Sequence, residues 1–275
     1  MKFVKMHACK NDYVYVDFRE VENLNLSQLS KKLSDRKIGI GGDGLIAVGR
    51  LSEQTAFMKM YNSDGSEGDM CGNGVRCSAY FAKKHLGLSG DNFTVITKTR
   101  PVKVSLFKRD NKNYASANLG LPKLVDIDKN FFNQLAKSGL YVDKTGVFKV
   151  NVGNEHLVIF THDFDLLTLN EHIKKTSFFK NGVNLERVYD IKFNSKNEVT
   201  LFAEVYERGS GKTLSCGSGA VAVALAYTRF NNNGCFRKKI NVVTEGGVLT
   251  VNFEEGNAIL TGEIKEVFRG EIDEI

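Results

Sequence analysis

Two short segments of this 275-residue chain carry residue types suited to moving a proton on and off carbon. Met70-Cys71-Gly72-Asn73-Gly74 follows the polar stretch NSDGSEGD and opens an amphipathic pattern, and Ser215-Cys216-Gly217-Ser218-Gly219 does the same ahead of AVAVALAYT. A cysteine at a helix start feels the positive end of the dipole, which is expected to favour the thiolate and lower its pKa from about 8.5. Flanking glycines let a ligand approach the backbone, and the free amides of a first helical turn bind a carboxylate. One such turn is a thiolate beside an anion site. Two would supply base and acid for inversion at a carbon next to a carboxylate, with amide dipoles stabilising the enolate-like transition state. The pair must hold opposite protonation states, so its titration belongs to the couple. Either cysteine taken alone is explained as well by a small residue buried at a tight helix start.

The context of the two turns is itself repeated. A shift of 145 positions lays Phe57 on Phe202, Tyr61 on Tyr206, Cys71 on Cys216, Gly72 on Gly217, Gly74 on Gly219 and Ala79 on Ala224. Both copies read strand, loop, Cys-Gly-x-Gly, helix. A weaker echo pairs the Asn11 segment with the Asn154 segment. The simplest account is two domains of similar topology meeting at a crevice, 1–118 plus 264–275 and 119–263, with the break at Gly120 and Pro122.

Strand patterns dominate the elements that must hold these turns. KFVKMHA, YVYVDF, GLIAVG, AFMKMY, FTVITK, VKVSLF, YASANL, GVFKVNV, HLVIF, VTLFAEVYE, INVVT, VLTVNF and AILTGEI alternate or are rich in β-branched and aromatic residues. Five helices are expected: near residue 30, after Gly74, from Asp128, over LLTLNEHIKKTSFF, and after Gly219. Thr168 and Glu171 suggest a capping box, and Gly87, Gly139 and Gly234 suggest helix stops. The expected fold class is α+β, with each domain a mostly antiparallel or mixed sheet wrapped around a central helix.

Composition narrows the remaining classes. With 42% hydrophobic and 25% charged residues the chain is an ordinary globular protein. A net charge of +6 is spread in runs no longer than Arg237-Lys238-Lys239, without interleaved aromatics, so nucleic acid is not an expected partner. No apolar run of about 18 residues occurs and the N-terminal segment carries Lys5, His7, Lys10 and Asp12, so neither a membrane span nor a signal peptide is expected and the reading is cytoplasmic. Five cysteines without a CxxC pair argue against a disulfide framework and a metal site. Cys77, inside an amphipathic helix, reads as core, and Cys9 lies beside a candidate binding loop.

At these residues the chain resembles diaminopimelate epimerase, over MHACKNDYVYVD, DRKIGIGGDGLI, YNSDGSEGDMCGNGVRC, GNEH, NGVNLERV, YERGSGKTLSCGSGAVAVA, EGG and VFRGEI. The resemblance implies interconversion of LL- and meso-diaminopimelate without a cofactor, in lysine and peptidoglycan precursor synthesis. It implies Cys71 and Cys216 as the catalytic thiols, with Glu207 and His156 supporting them and the substrate's ammonium. It also implies that Asn11, Asn62, Asn154 and Asn184 hold the distal amino-acid end, that Arg208 pairs with the distal carboxylate, and that Gly72-Asn73 and Gly217-Ser218 cradle the reacting carboxylate. A homodimer follows only by analogy with relatives. On local sequence alone Asn62 reads as a turn residue and His156 as a satisfied core histidine.

The chain departs from the family pattern at several positions. Glu155 stands where proline is usual, Ser218 where threonine is common, Lys10 beside Cys9 where glycine is common, and Gly44 where some members have a binding glutamine. A proline racemase or hydroxyproline epimerase is the nearest rival, disfavoured by Asn73 where those enzymes carry histidine and by the surplus of asparagines. A non-catalytic binding protein of the same fold is the rival from another class, disfavoured because both cysteines are retained. Which thiol attacks which stereoisomer does not follow from two turns so alike.

Overall fold

Two strand-forming runs, buried continuously at residues 3–6 and 13–16, form a hairpin: β1 (Lys2–Ala8) and β2 (Asn11–Asp17) pair antiparallel from Phe3↔Val16 to Ala8↔Asn11. Its two-residue turn places Cys9 and Lys10 at φ of 52° and 62°, the left-handed region that such tight hairpins require and that L side chains pay strain to enter. The computed structural model describes residues 1–179, 182–196, 198–231 and 239–273. The chain divides into two units, Met1–Asn118 with Thr261–Ile275, and Leu119–Leu260.

In the first unit α1 (Leu26–Ser34) is followed by β3 (Gly44–Arg50), β4 (Thr55–Asn62), the short β5 (Glu67–Gly68), α2 (Gly72–His85), β6 (Asn92–Ile96), β7 (Pro101–Arg109) and β8 (Lys112–Asn118). β2 and β3 run parallel, as do β4 and β6, while the β3–β4, β6–β7 and β7–β8 pairs are antiparallel. Helix α2 buries every residue from Gly72 to Ala79 and then Phe81 and Ala82, too many for a helix lying on one face of a sheet. It packs against β1, β2, β3, β4, β6, β7 and β8, so the strands wrap it. The amphipathic α1 instead docks Leu26, Leu29 and Leu33 onto Val14, Val16, Leu45 and Ala47.

The second unit holds β9 (Lys123–Val125), α3 (Lys129–Lys137), β10 (Val147–Asn151), β11 (Glu155–Phe160), α4 (Leu166–Lys174), β12 (Asn184–Phe193), β13 (Val199–Glu207), β14 (Gly211–Thr213), α5 (Gly217–Phe230), β15 (Lys239–Thr244) and β16 (Gly247–Glu254). A long β17 (Asn257–Glu271) follows, and its residues 265–271 pair back onto β1. The β11–β12 and β13–β15 pairs are parallel and β10–β11, β12–β13 and β15–β16 antiparallel. Here α5 takes the central place, against β10, β11, β12, β13, β15 and β16. Its sequence is apolar all round, and it is buried without interruption from Gly219 to Tyr227. The fold is therefore the expected α+β arrangement of mixed strands around a central helix.

Some local expectations change. Helix α4 is capped by Asp165, whose carboxylate accepts from the Thr168 amide at 2.7 Å; Thr168 lies inside the helix and is not the cap of a Thr168–Glu171 box. Asp165 wins because an ionised acceptor at the dipole's positive end is stronger than a hydroxyl. Gly87 and Gly139 do follow the C-caps of α2 and α3, at φ of 71° and 94°. Strand β12 was not among the expected strands, because Glu186, Arg187, Asp190 and Lys192 interrupt its apolar pattern. Gly234, Cys235, Arg237 and Lys238 lie outside the described residues. Among the described residues no helix is long and apolar enough to cross a membrane.

Candidate functional site

Each unit starts its central helix on a cysteine, with nearly the same backbone. Cys71 is the N-cap of α2 at φ −120°, ψ 121°, and its Sγ accepts from the Gly74 amide at 3.4 Å. Cys216 is the N-cap of α5 at φ −122°, ψ 125°, with its Sγ accepting from the Gly219 amide at 3.3 Å. In both turns the sulfur takes the place that a serine or aspartate oxygen usually holds. The next two residues, Gly72-Asn73 and Gly217-Ser218, open the helices, where N–H groups have no partner within the helix and point at whatever lies beyond its end.

Around Cys71 the structure brings together Asn11 and a charged loop. The thiol donates to Asn11 Oδ1 at 3.3 Å, and Asn11 Nδ2 donates to Asp43 Oδ2 at 2.8 Å. Asp43 also accepts from the Asp12 amide and from Arg36. Arg36 and Lys5 both pair with Asp12, and Lys5 also donates to the Gly41 carbonyl. Sequence reasoning did not single out Asp43, Arg36 or Lys5. The density of Gly and charge in DRKIGIGGDG was the available cue.

Asn73 is 2% exposed and its Oδ1 accepts from Arg76 Nη2 at 2.8 Å, so its side chain faces inward while its amide heads the helix. Asn62 is engaged within its own turn, donating to Ser66 Oγ at 2.9 Å. Gly44 has no room for a side chain, since a Cβ would stand 2.1 Å from the Tyr61 carbonyl oxygen. Cys77 is core, and burial pushes its thiol up to about 12.

Around Cys216 the partners are hydroxyls and carboxylates. Ser218 Oγ lies 3.4 Å from the sulfur, and Glu207 Oε1 accepts from Thr213 Oγ1 at 2.7 Å while its carboxylate also takes a hydrogen bond from Cys216. Burial raises the Glu207 pKa, a tendency opposed by those two bonds. Burial also pushes the Cys216 thiol well above its ordinary range, helped by the charges of Glu207 and Glu186 and opposed by the Ser218 and Gly219 hydrogen bonds. The lowered pKa expected from the helix dipole is therefore reversed at Cys216. Loss of hydration and two carboxylates outweigh a partial charge of about half a unit.

His156 is fully buried, with Nδ1 2.7 Å from Glu186 Oε1 and Nε2 3.0 Å from Asn154 Oδ1. Asn184 is a brace: it donates to the Glu155 carbonyl at 3.0 Å and accepts from the Arg208 amide at 3.0 Å. Arg208 itself is exposed. Glu155 starts β11 opposite Asn151 and pairs with Lys149 at 2.6 Å, so the turn keeps its register without proline.

An α+β unit that wraps a helix with a cysteine N-cap is present once in each half of the chain, and the family that the sequence matches is one of isomerases. The sequence model for diaminopimelate epimerase matches residues 3–125 and 148–267, and the chain belongs to that family. It is 35% identical to the diaminopimelate epimerase of Caldanaerobacter subterraneus subsp. tengcongensis over 99% of this chain and 100% of the relative. It is 34% identical to that of Leptospira biflexa over 99% of each. Among solved structures, a Bacillus anthracis phenazine biosynthesis protein of the PhzF family shares the fold with a TM-score of 0.74 at 15% identity, over 99% of this chain and 98% of that one.

Proposed function

We propose that the chain epimerises LL-2,6-diaminopimelate to the meso isomer with Cys71 and Cys216 as paired base and acid. The observation that carries this reading is the duplicated turn: two cysteines in one backbone geometry, each heading a buried helix whose first amides are unbonded within the helix. A thiolate takes the α-proton, helix-start amides of Gly72-Asn73 and Gly217-Ser218 stabilise the carboxylate as it gains enolate character, and the other thiol returns a proton to the opposite face. In this reading Glu207 and His156 support the thiols, and Asn11, Asn62, Asn154, Asn184 and Arg208 hold the distal amino-acid end. Asn62 and Asn184 contribute partly by shaping the backbone, since their amides are already bonded at Ser66, Glu155 and Arg208. The enzyme works in the cytoplasm on a free amino acid, as a homodimer by analogy with the family, and needs neither nucleic acid nor membrane.

The test is incubation with LL-diaminopimelate in deuterated water. One α-proton exchanges and the meso isomer accumulates, while proline and hydroxyproline stay unchanged. Cys71→Ser and Cys216→Ser each lower kcat by about 10²–10⁴. Wild-type turnover in either variant, or a preference for proline, would refute the proposal.

A further inference from the structure

The two cysteine turns share a backbone but stand over different chemistry. In the first unit β3 runs parallel to β2 with Gly44 opposite Tyr13, and two residues on, Ile46 lies beneath the turn: a Cβ on Gly74 would meet its Cδ1 at 2.8 Å. In the second unit β12 runs parallel to β11 with Asn184 opposite His156, and two residues on stands Glu186. A Cβ on Gly219 would meet Glu186 Oε1 at 2.5 Å. Corresponding places thus hold a methyl group under Cys71 and a carboxylate under Cys216.

Glu186 is 0% exposed, a position carboxylates almost never take without a partner. Its Oε1 is matched to His156 Nδ1, but its Oε2 is buried with no hydrogen-bond partner among the described residues. Leaving such an atom unpaired away from water is costly. A purely structural role does not explain that cost, since an apolar side chain serves under the first turn. The first unit shows the opposite charge: Arg76 is fully buried in the opening turns of α2, bonded to Asn73 Oδ1, with Nε and Nη1 unpartnered among the described residues.

We propose that Glu186 is a positioning residue of the reaction: through His156, and through the space left open by Gly219, it keeps a carboxylate beneath the Cys216 turn and so makes Cys216 the proton donor of the free enzyme. Cys71, over Ile46 and in the turn that buries Arg76, is then the resting thiolate. The groups that face Cys216 are Glu207 on β13, Glu186 on β12 with His156 on β11 behind it, and Ser218 with the Gly219 amide on α5 itself. The acid and base roles rest on the epimerase reading, but the charge asymmetry does not.

The experiment is therefore read on the thiols as well as on turnover. Iodoacetamide alkylation of each cysteine is followed by peptide mass spectrometry from pH 6 to 10 in the whole chain. In the wild type the midpoint for Cys71 lies below that for Cys216. Glu186→Gln lowers the Cys216 midpoint by about one pH unit, a tenfold gain in thiolate at neutral pH, and leaves Cys71 in place. Glu186→Asp retains the wild-type profile. With diaminopimelate as substrate Glu186→Gln lowers kcat and moves the acid and base limbs of the pH profile, with KM within about twofold.

A wild-type midpoint for Cys216 at or below that for Cys71 overturns the proposal without any variant, and so does a Glu186→Gln profile superimposed on the wild type. Absence of diaminopimelate turnover with the alkylation shifts intact would instead refute the epimerase reading alone.

Discussion

Lys5 and Arg36 converge on Asp12, at 2.6 Å and 2.7 Å, beside the hairpin turn that presents Asn11. Burial works to raise the Asp12 pKa, but the Arg36 and Lys5 hydrogen bonds outweigh it and hold the carboxyl below its ordinary value. A depressed carboxylate contributes stability that is fully present above the unfolded pKa near 3.9 and is lost as pH falls through the folded value. Asp12→Asn leaves the buried Lys5 ammonium without its partner and costs roughly 3 kcal/mol at pH 7. The deficit begins to shrink below about pH 4 and closes only as pH falls through the depressed folded value, where the wild type loses the same charge; urea midpoints followed from pH 7 down to about pH 2 measure it, and a deficit undiminished at the lowest pH would contradict the assignment. The geometry around Cys216 carries a related lesson. A local rule, that a helix start lowers a thiol's pKa, gives way once the thiol is buried between two carboxylates.

Helix starts, at the scale of elements, depend on glycine for reasons of space. Gly74 and Gly219 are each the third residue of their helix and neither has a positive φ, so conformational freedom is not what they supply. They admit Ile46 and Glu186 against the helix backbone. Gly74→Ala presses only the uncharged far end of the Ile46 side chain, and alanine's helix propensity offsets part of the cost, so stability changes by less than about 1 kcal/mol. Gly219→Ala drives a buried carboxylate away from its His156 bond, costs about 2–3 kcal/mol, and weakens turnover more than Gly74→Ala does. Thermal melts and initial rates of the pair decide between them, and equal effects would mean that Glu186 is free to move. Most elements were readable because they follow one period of hydrophobicity: β7 and β13 alternate, and α1 shows a single apolar stripe. β12 was not readable, since its charged residues are sited by neighbouring strands and by α5 and follow no local pattern.

For the molecule as a whole, the proposed chemistry assigns every proton transfer to side chains and backbone amides of this chain. Exhaustive dialysis against a chelator and treatment with hydroxylamine are therefore expected to leave the epimerisation rate within about 20% of the starting value, far inside the tenfold that 1.4 kcal/mol of barrier represents. Activity restored only by added metal or pyridoxal phosphate would show the assignment to be wrong. The sequence by itself determined the family, the α+β class and the repeated Cys-Gly-x-Gly turns, because these rest on local patterns: motif spacing, hydrophobic period and the small residues of a tight helix start. It also named Asn11 and His156, which lie at Cys71 and beside Asn154. Only the tertiary structure decided that two turns of one backbone differ in charge. Ile46 and Glu186 reach them from strands far away in the chain, and burial multiplies the effect of each charge by removing the water that would screen it.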